Sequence, residues 1–201
     1  MVSSSKLVSA AAERNSAPIG EVLARVLPAR GLVLEIAAGT GQHAVCFAAR
    51  FAHLGWQPTD IDPQALQSID AWAVEAKLAN LRPAQLLDVC DARWPVDSAA
   101  AIYCANMIHI SPWDVTLGLL DGAARTLAAG SPLVLYGPYN IDRQFTSDSN
   151  KRFDASLRAR DARWGIRDLE DVAIAARARG FELEERVQMP ANNQMVVFRR
   201  G

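Results

Sequence analysis

Two glycines, Gly39 and Gly41, and three acids, Glu35, Asp60 and Asp88, are the residues whose types and spacing could build a binding site. The glycines lie in the stretch EIAAGTG at 35–41, where they let the backbone turn sharply and approach a ligand with no side chain in the way. They fall between an apolar run and a helical pattern. The loop would therefore sit at the carboxyl edge of a buried strand, beside the free N–H groups of a helix starting near Gln42. This is the chemistry of a nucleotide-like ligand. Gly39-x-Gly41-x-x-Ala44 also satisfies the dinucleotide fingerprint, and Asp60 stands at about the spacing of a ribose-binding acid.

Three features favour a methyl donor, S-adenosylmethionine, over a dinucleotide. Glu35 lies inside the strand just before the loop, where a carboxylate would repel a pyrophosphate but suit a cationic amino and sulfonium end. Leu87-Asp88-Val89 ends the third expected strand with an acid, which resembles the pattern of methyl-donor enzymes that place a carboxylate there against the adenine amino group. No second phosphate-binding element follows. Asp60 and Asp88 also have a plainer reading, as caps of the turns that follow them. Two other functions stay open: an NAD(P)-dependent oxidoreductase, and a non-catalytic module that keeps the donor pocket but regulates a partner. Trp56, Trp72 and Trp113 clustered on the surface would favour the module.

Methyl transfer is an in-line displacement, so the acceptor atom must be held about 3 Å from the methyl in a site closed to water. A phenol or alcohol acceptor would want a general base. His109, just after an apolar strand, is the best candidate, since an ordinary imidazole titrates near neutral pH. His43, after the glycine loop, suits a hydrogen bond near the cofactor, and His53 reads as a surface residue. Three scattered histidines do not make a metal site. Tyr139, Asn150, Phe153 and Trp164 are candidate substrate contacts, and the polar stretch 140–165 that holds most of them is a candidate lid. An Asn-Pro-Pro-Tyr type signature for methylating nucleic-acid amino groups is absent, because Asn106 is followed by Met107-Ile108-His109. The expected acceptor is a small molecule offering an O, N or S nucleophile.

The elements that must position these residues alternate along the chain. Residues 1–17 read as a loose arm, and a short helix follows Pro18. Strands are expected at 32–37, 55–60, 84–89, 99–105 and 133–136. Helices are expected at 42–53, after Asp62-Pro63, after Ser111-Pro112, around 151–160, and from Asp168 to the glycine at 180. The strands at 181–187 and 194–198 are too close for a helical crossover, so they should pair antiparallel. The expectation is an α/β, Rossmann-like, seven-stranded and mostly parallel sheet with an antiparallel last strand and helices on both faces.

Bulk properties agree with one domain over 1–201. Hydrophobic residues make up 50% and charged residues 21%, and a net charge of −1 supplies no field for nucleic acid or an anionic membrane. The 3 cysteines form no C-x-x-C pair, and no basic-then-apolar leader or bilayer-length apolar run is visible. A cytoplasmic protein is expected; oligomeric state cannot be read.

The segments AAERN at 11–15, LEIAAGTGQH at 34–43, WQPTDIDP at 56–63, CANMIHI at 104–110 and MPANN at 189–193 resemble the methyltransferase-like-26 family. That is a group of class I S-adenosylmethionine-dependent methyltransferase-like proteins of largely undefined substrate. The similarity runs from about residue 10 to 200. It implies that Glu35, Ala37 and Gly39 border the amino-acid part of the donor. It further implies that Asp60 holds the ribose, Ile61 packs on the adenine, and Asp88 takes the adenine amino group with Val89 alongside. Asn106 and Met107 would face the methionine portion. Arg14 and Asn15 would fold over the site, with Arg14 on the donor's carboxylate.

Overall fold

Strand β1 (Leu32–Ile36) is an almost unbroken apolar run because both of its faces are covered. It lies inside the main sheet, with a strand paired on either side, of the computed structural model, which describes residues 6–201. Around it run α1 (Ala10–Val26), α2 (Gln42–Arg50), β2 (Gly55–Asp60), α3 (Pro63–Ala76), β3 (Gln85–Leu86), β4 (Ala101–Ala105), α4 (Trp113–Thr126) and β5 (Pro132–Gly137). An insertion follows, with β6 (Tyr139–Ile141), β7 (Gln144–Phe145), α5 (Asp148–Arg160) and β8 (Arg167–Asp168). The chain ends with α6 (Leu169–Arg177), β9 (Phe181–Met189) and β10 (Asn193–Arg200).

The main sheet has seven strands in the order β3-β2-β1-β4-β5-β10-β9. Strands β1 to β5 pair parallel, while β10 runs antiparallel to both β5 and β9. Strand parity divides the core. Leu34, Ile36, Ile102 and Cys104 face one layer with α4 and α6, while Val33, Ala101, Tyr103 and Val134 face α1 and α2. The order reverses at β1 and β4, so their carboxyl ends open the crevice where ligands bind in such sheets.

Three expectations are corrected. Residues 1–5 of the expected arm lie outside the described residues, but the remainder is not loose: α1 begins at Ala10, capped by the Ser9 hydroxyl. Pro18 lies inside this helix and removes one backbone donor, yet Ile19, Val22, Leu23 and Val26 bury a full face, which outweighs that loss. The chain before it is tied down, since the Ser68 hydroxyl accepts from Leu7 N–H at 2.7 Å and Gln42 from Ser9 N–H at 2.6 Å. The third strand shrinks to two residues, although Leu87 and Val89 stay buried beyond it. The polar stretch 140–165, where only a helix around 151–160 is expected, also holds strands. Asp142 and Arg143 both have positive φ, the geometry of a tight hairpin turn, and the strands they join form a second sheet of order β7-β6-β8. Among the described residues no helix is long and apolar enough to cross a membrane.

Candidate functional site

The loop after β1 is stitched to the end of β2. Ala38 N–H donates to the Thr59 carbonyl at 2.9 Å, and Gly39 N–H donates to the Asp60 carboxylate at 2.8 Å. The other Asp60 oxygen accepts from Asp62 N–H at 3.0 Å, so the side chain is held rigidly at the crevice. The two glycines have different tasks. A Cβ on Gly41 would lie 2.7 Å from the Ile69 backbone, so this glycine lets α2 and α3 approach. A Cβ on Gly39, whose φ is +58°, would meet nothing within 4 Å, so its Cα faces empty space.

That space is a cavity of about 590 Å³ at the carboxyl ends of β1, β2 and β4. Of the expected cofactor residues, Ala37, Gly39, Asp60, Ile61, Asp88, Val89 and Met107 line it together. Apolar walls come from Ile36 and Leu87, within the stretches already singled out, and from Ile110 and Val115, which sequence reasoning missed along with Asp114 and Ser111 at the start of α4. The sheet-edge rule could have found these last two, because they follow β4 closely. Asp88 also accepts from Cys90 N–H at 2.9 Å, so the turn-capping reading holds beside the pocket-lining one. Burial first, and then the Asp88, Asp114 and Asp91 carboxylates, push the Cys90 thiol up. Three carboxylates and no Lys or Arg line the cavity, so its field favours a cation and opposes a pyrophosphate. A flat heterocycle bearing hydroxyls and a positive end fits this donor set.

Arg14, Asn15, Glu35, Gly41, His43 and Asn106 are absent from that lining. Glu35 sits one residue out of phase with Ile36, so its side chain turns to the α1–α2 layer. There it accepts the Trp56 indole N–H at 2.6 Å and is 2% exposed. Burial raises its pKa to about 8, the Trp56 bond lowers it, and the Asp60 charge adds a further rise. Asn15 and His43 are neighbours: Asn15 Oδ1 lies 2.7 Å from His43 Nε2, and His43 Nδ1 lies 3.3 Å from the Tyr103 hydroxyl. With Tyr103 donating to Nδ1, Nε2 carries the imidazole proton and Asn15 accepts it. Desolvation pulls the His43 pKa down to about 4, so the ring is neutral at physiological pH. Asn193 completes this side by donating to the Tyr136 hydroxyl at 2.9 Å. Arg14 is exposed on α1, and Asn106 takes a left-handed φ of 60° directly after β4.

The expected acceptor residues do not converge. His109 is fully buried beside Tyr139, their rings edge to face at 5.2 Å, and neither ring nitrogen has a partner. Burial, and then the Arg167 charge, hold its pKa at about 3, which makes it a weak base. Tyr139 is fully buried in the core. Asn150 is structural, donating to the Thr146 hydroxyl at 2.9 Å and the Asn192 carbonyl at 3.0 Å, which fixes the start of α5 on the β9–β10 turn. Phe153 is exposed, and Trp164 packs under Arg160 at 4.9 Å. Trp56 is fully buried, so the three tryptophans form no surface cluster. Among the described residues no group of three His, Cys, Asp or Glu could hold a metal ion.

Comparison with solved structures places the fold. An O-methyltransferase family protein from Burkholderia thailandensis superposes with a TM-score of 0.79 at 16% identity, covering 95% of this chain and 57% of its own. An O-methyltransferase family 2 protein from Planctomyces limnophilus, in complex with apigenin, gives 0.79 at 14% identity, covering 95% and 60%. CalO1, a methyltransferase of calicheamicin biosynthesis in its SAH-bound form, gives 0.74 at 16% identity, covering 94% and 55%. The chain thus spans little more than half the length of these proteins. Its fold is the Rossmann-like class I methyltransferase fold. Residues 6–200 match the family described as protein of unknown function (DUF938), and the chain belongs to that family.

Proposed function

We propose that this chain is an S-adenosylmethionine-dependent methyltransferase of the methyltransferase-like-26 type, acting as a single domain on a small molecule. The observation that carries the reading is the cavity lining: an apolar slot, the open space beside the Gly39 Cα, and three acids with no cation. In this reading Ile61, Leu87 and Val89 sandwich the adenine, and Asp88 accepts from its amino group. Asp60, already fixed by two backbone N–H groups, accepts from the ribose hydroxyls. Asn106 and Met107 border the methionine portion, and α1, carrying Arg14 and Asn15, forms the outer wall. When bound, S-adenosylmethionine supplies an electrophilic methyl group on a sulfonium.

The chain's own work is to bind, orient and exclude water. Asp60, Asp88 and Asp114 supply negative potential toward a cationic ligand. In this reading the insertion carrying α5, which Asn150 braces on the turn at 190–192, serves as the lid on the acceptor side. The O-methyltransferase neighbours, one of them in complex with apigenin, support a small-molecule acceptor. The test is incubation of metabolite extract with isotopically methyl-labelled donor, followed by mass spectrometry. Label should appear in a low-mass compound. Label found only in nucleic acid or protein would contradict the acceptor class, and no label anywhere would contradict methyl transfer.

A further inference from the structure

A second and larger cavity, about 660 Å³, lies on the other side of the first turn of α4 and shares no lining residue with the first. It is an open groove bordered by α4, α6, the β6–β7 hairpin, α5 and β8. Its polar lining holds three arginines against two aspartates, and both aspartates are already committed. Asp168 accepts from Arg143 N–H at 2.7 Å and Glu170 N–H at 3.0 Å, and Asp171 accepts from the Arg143 guanidinium at 3.0 Å.

The other two arginines have donors to spare. Arg167 donates through Nε to the Ile108 carbonyl at 2.8 Å and through one terminal nitrogen to the Ser111 and Arg163 carbonyls. Its remaining terminal nitrogen bonds nothing among the described residues, and it makes no salt bridge. Arg158 uses Nε on Asp154 at 2.7 Å, and its two terminal nitrogens have no acceptor among the described residues. Burial first, and then the Arg158 charge, lower the Arg167 pKa, while the Asp154 carboxylate that pairs with Arg158 opposes the shift. Asn140 adds a buried acceptor oxygen with no donor. Trp113, Ile166 and Ile174 supply apolar wall, with the Arg167 guanidinium 5.7 Å from the Trp113 ring.

One free guanidinium edge, on Arg158, and one free terminal nitrogen, on Arg167, match an oxyanion, because the Arg158 fork can bind a carboxylate with two parallel bonds and Arg167 adds a further donor. The apolar wall matches a ring-sized body, and Asn140 matches a hydroxyl on it. We propose that this cavity is a binding site for a small hydroxylated aromatic carboxylate, held by Arg167 and Arg158 at the anionic end and by Trp113 at the ring. Arg167 also grips the carbonyls of Ile108 and Ser111, so the site touches the segment that walls the first cavity.

The test is a titration of the full chain with 4-hydroxybenzoate, read by the Trp113 indole N–H in a ¹H–¹⁵N spectrum and assigned with W113F. It needs no S-adenosyl compound, so its outcome is independent of the methyltransferase reading. A saturable shift is expected, at least about tenfold weaker for the neutral 4-hydroxybenzamide and for R158Q. Arg158 is half exposed and Asp154 keeps its bond from Ile166 N–H, so R158Q should fold. I174D, which places a negative charge at the mouth of the cavity, should abolish the shift. The proposal is overturned by no saturable shift, by an equal response to the amide, or by folded R158Q and I174D that bind like the parent.

Discussion

Glu35 offers a sharp test of the buried half of the site. Replacing it by Gln keeps the shape and leaves an amide oxygen to accept the Trp56 indole N–H, now at 2.6 Å. Folding raises the Glu35 pKa from 4.5 to about 8, so the folded state holds a proton that the unfolded chain gives up. The associated stability is complete below pH 4.5 and is lost as pH rises through about 8. At ~1.4 kcal/mol per pH unit, the parent should lose about 3 kcal/mol between pH 4.5 and pH 7 from this group alone. Gln has no proton to lose. E35Q should therefore match the parent near pH 4.5 and exceed it by about 3 kcal/mol at pH 7. Urea unfolding followed by far-ultraviolet circular dichroism, at a series of pH values, measures both curves. Parallel curves for parent and variant would refute the reasoning, as would an E35Q that is less stable than the parent at pH 7.

The two loop glycines should part company. G39A meets no neighbour and carries only the strain of its positive φ, about 1 kcal/mol, so it should melt close to the parent yet lose affinity for S-adenosylhomocysteine. G41A collides with the Ile69 backbone and should lower the melting temperature markedly in a thermal scan. D60A removes the acceptor of two backbone N–H groups as well as the ribose contact. It should cost about 2–3 kcal/mol in denaturant unfolding and weaken S-adenosylhomocysteine in calorimetry. His109, with a pKa of about 3, should show no titration between pH 5 and 8 by NMR, and a midpoint near 6.5 would show that the ring is not buried as described.

The sheet was legible because β1, β4 and β5 are apolar runs covered on both faces, and because Asp62-Pro63 and Asp168 mark helix starts by the bonds their side chains make. The antiparallel end followed from a connection too short for a crossover. Two failures have clear causes. Pro18 reads as a boundary, but a helix face that buries four apolar side chains tolerates one missing hydrogen bond. Strands of two and three residues at β6 to β8 carry no alternation to detect.

The site was legible in part. Asp60, Ile61, Asp88 and Met107, picked out for their places after apolar strands, all line the cavity. Glu35 was read from its charge, whereas strand parity decides its side: Ile36 faces the cavity and Glu35 faces Trp56. Residues in the insertion were chosen by type alone, and nothing in type separates Asn150, which braces a turn, from a ligand contact. The arginine cavity was invisible because its members come from five elements.

The central claim is the ligand of the first cavity, and isothermal titration calorimetry of the chain with S-adenosylhomocysteine tests it most directly. Saturable one-to-one binding, weakened by D60A, is expected, with no heat from NADH or NADPH. No binding of S-adenosylhomocysteine or S-adenosylmethionine would contradict the account, as would saturable binding of a nicotinamide dinucleotide in their place.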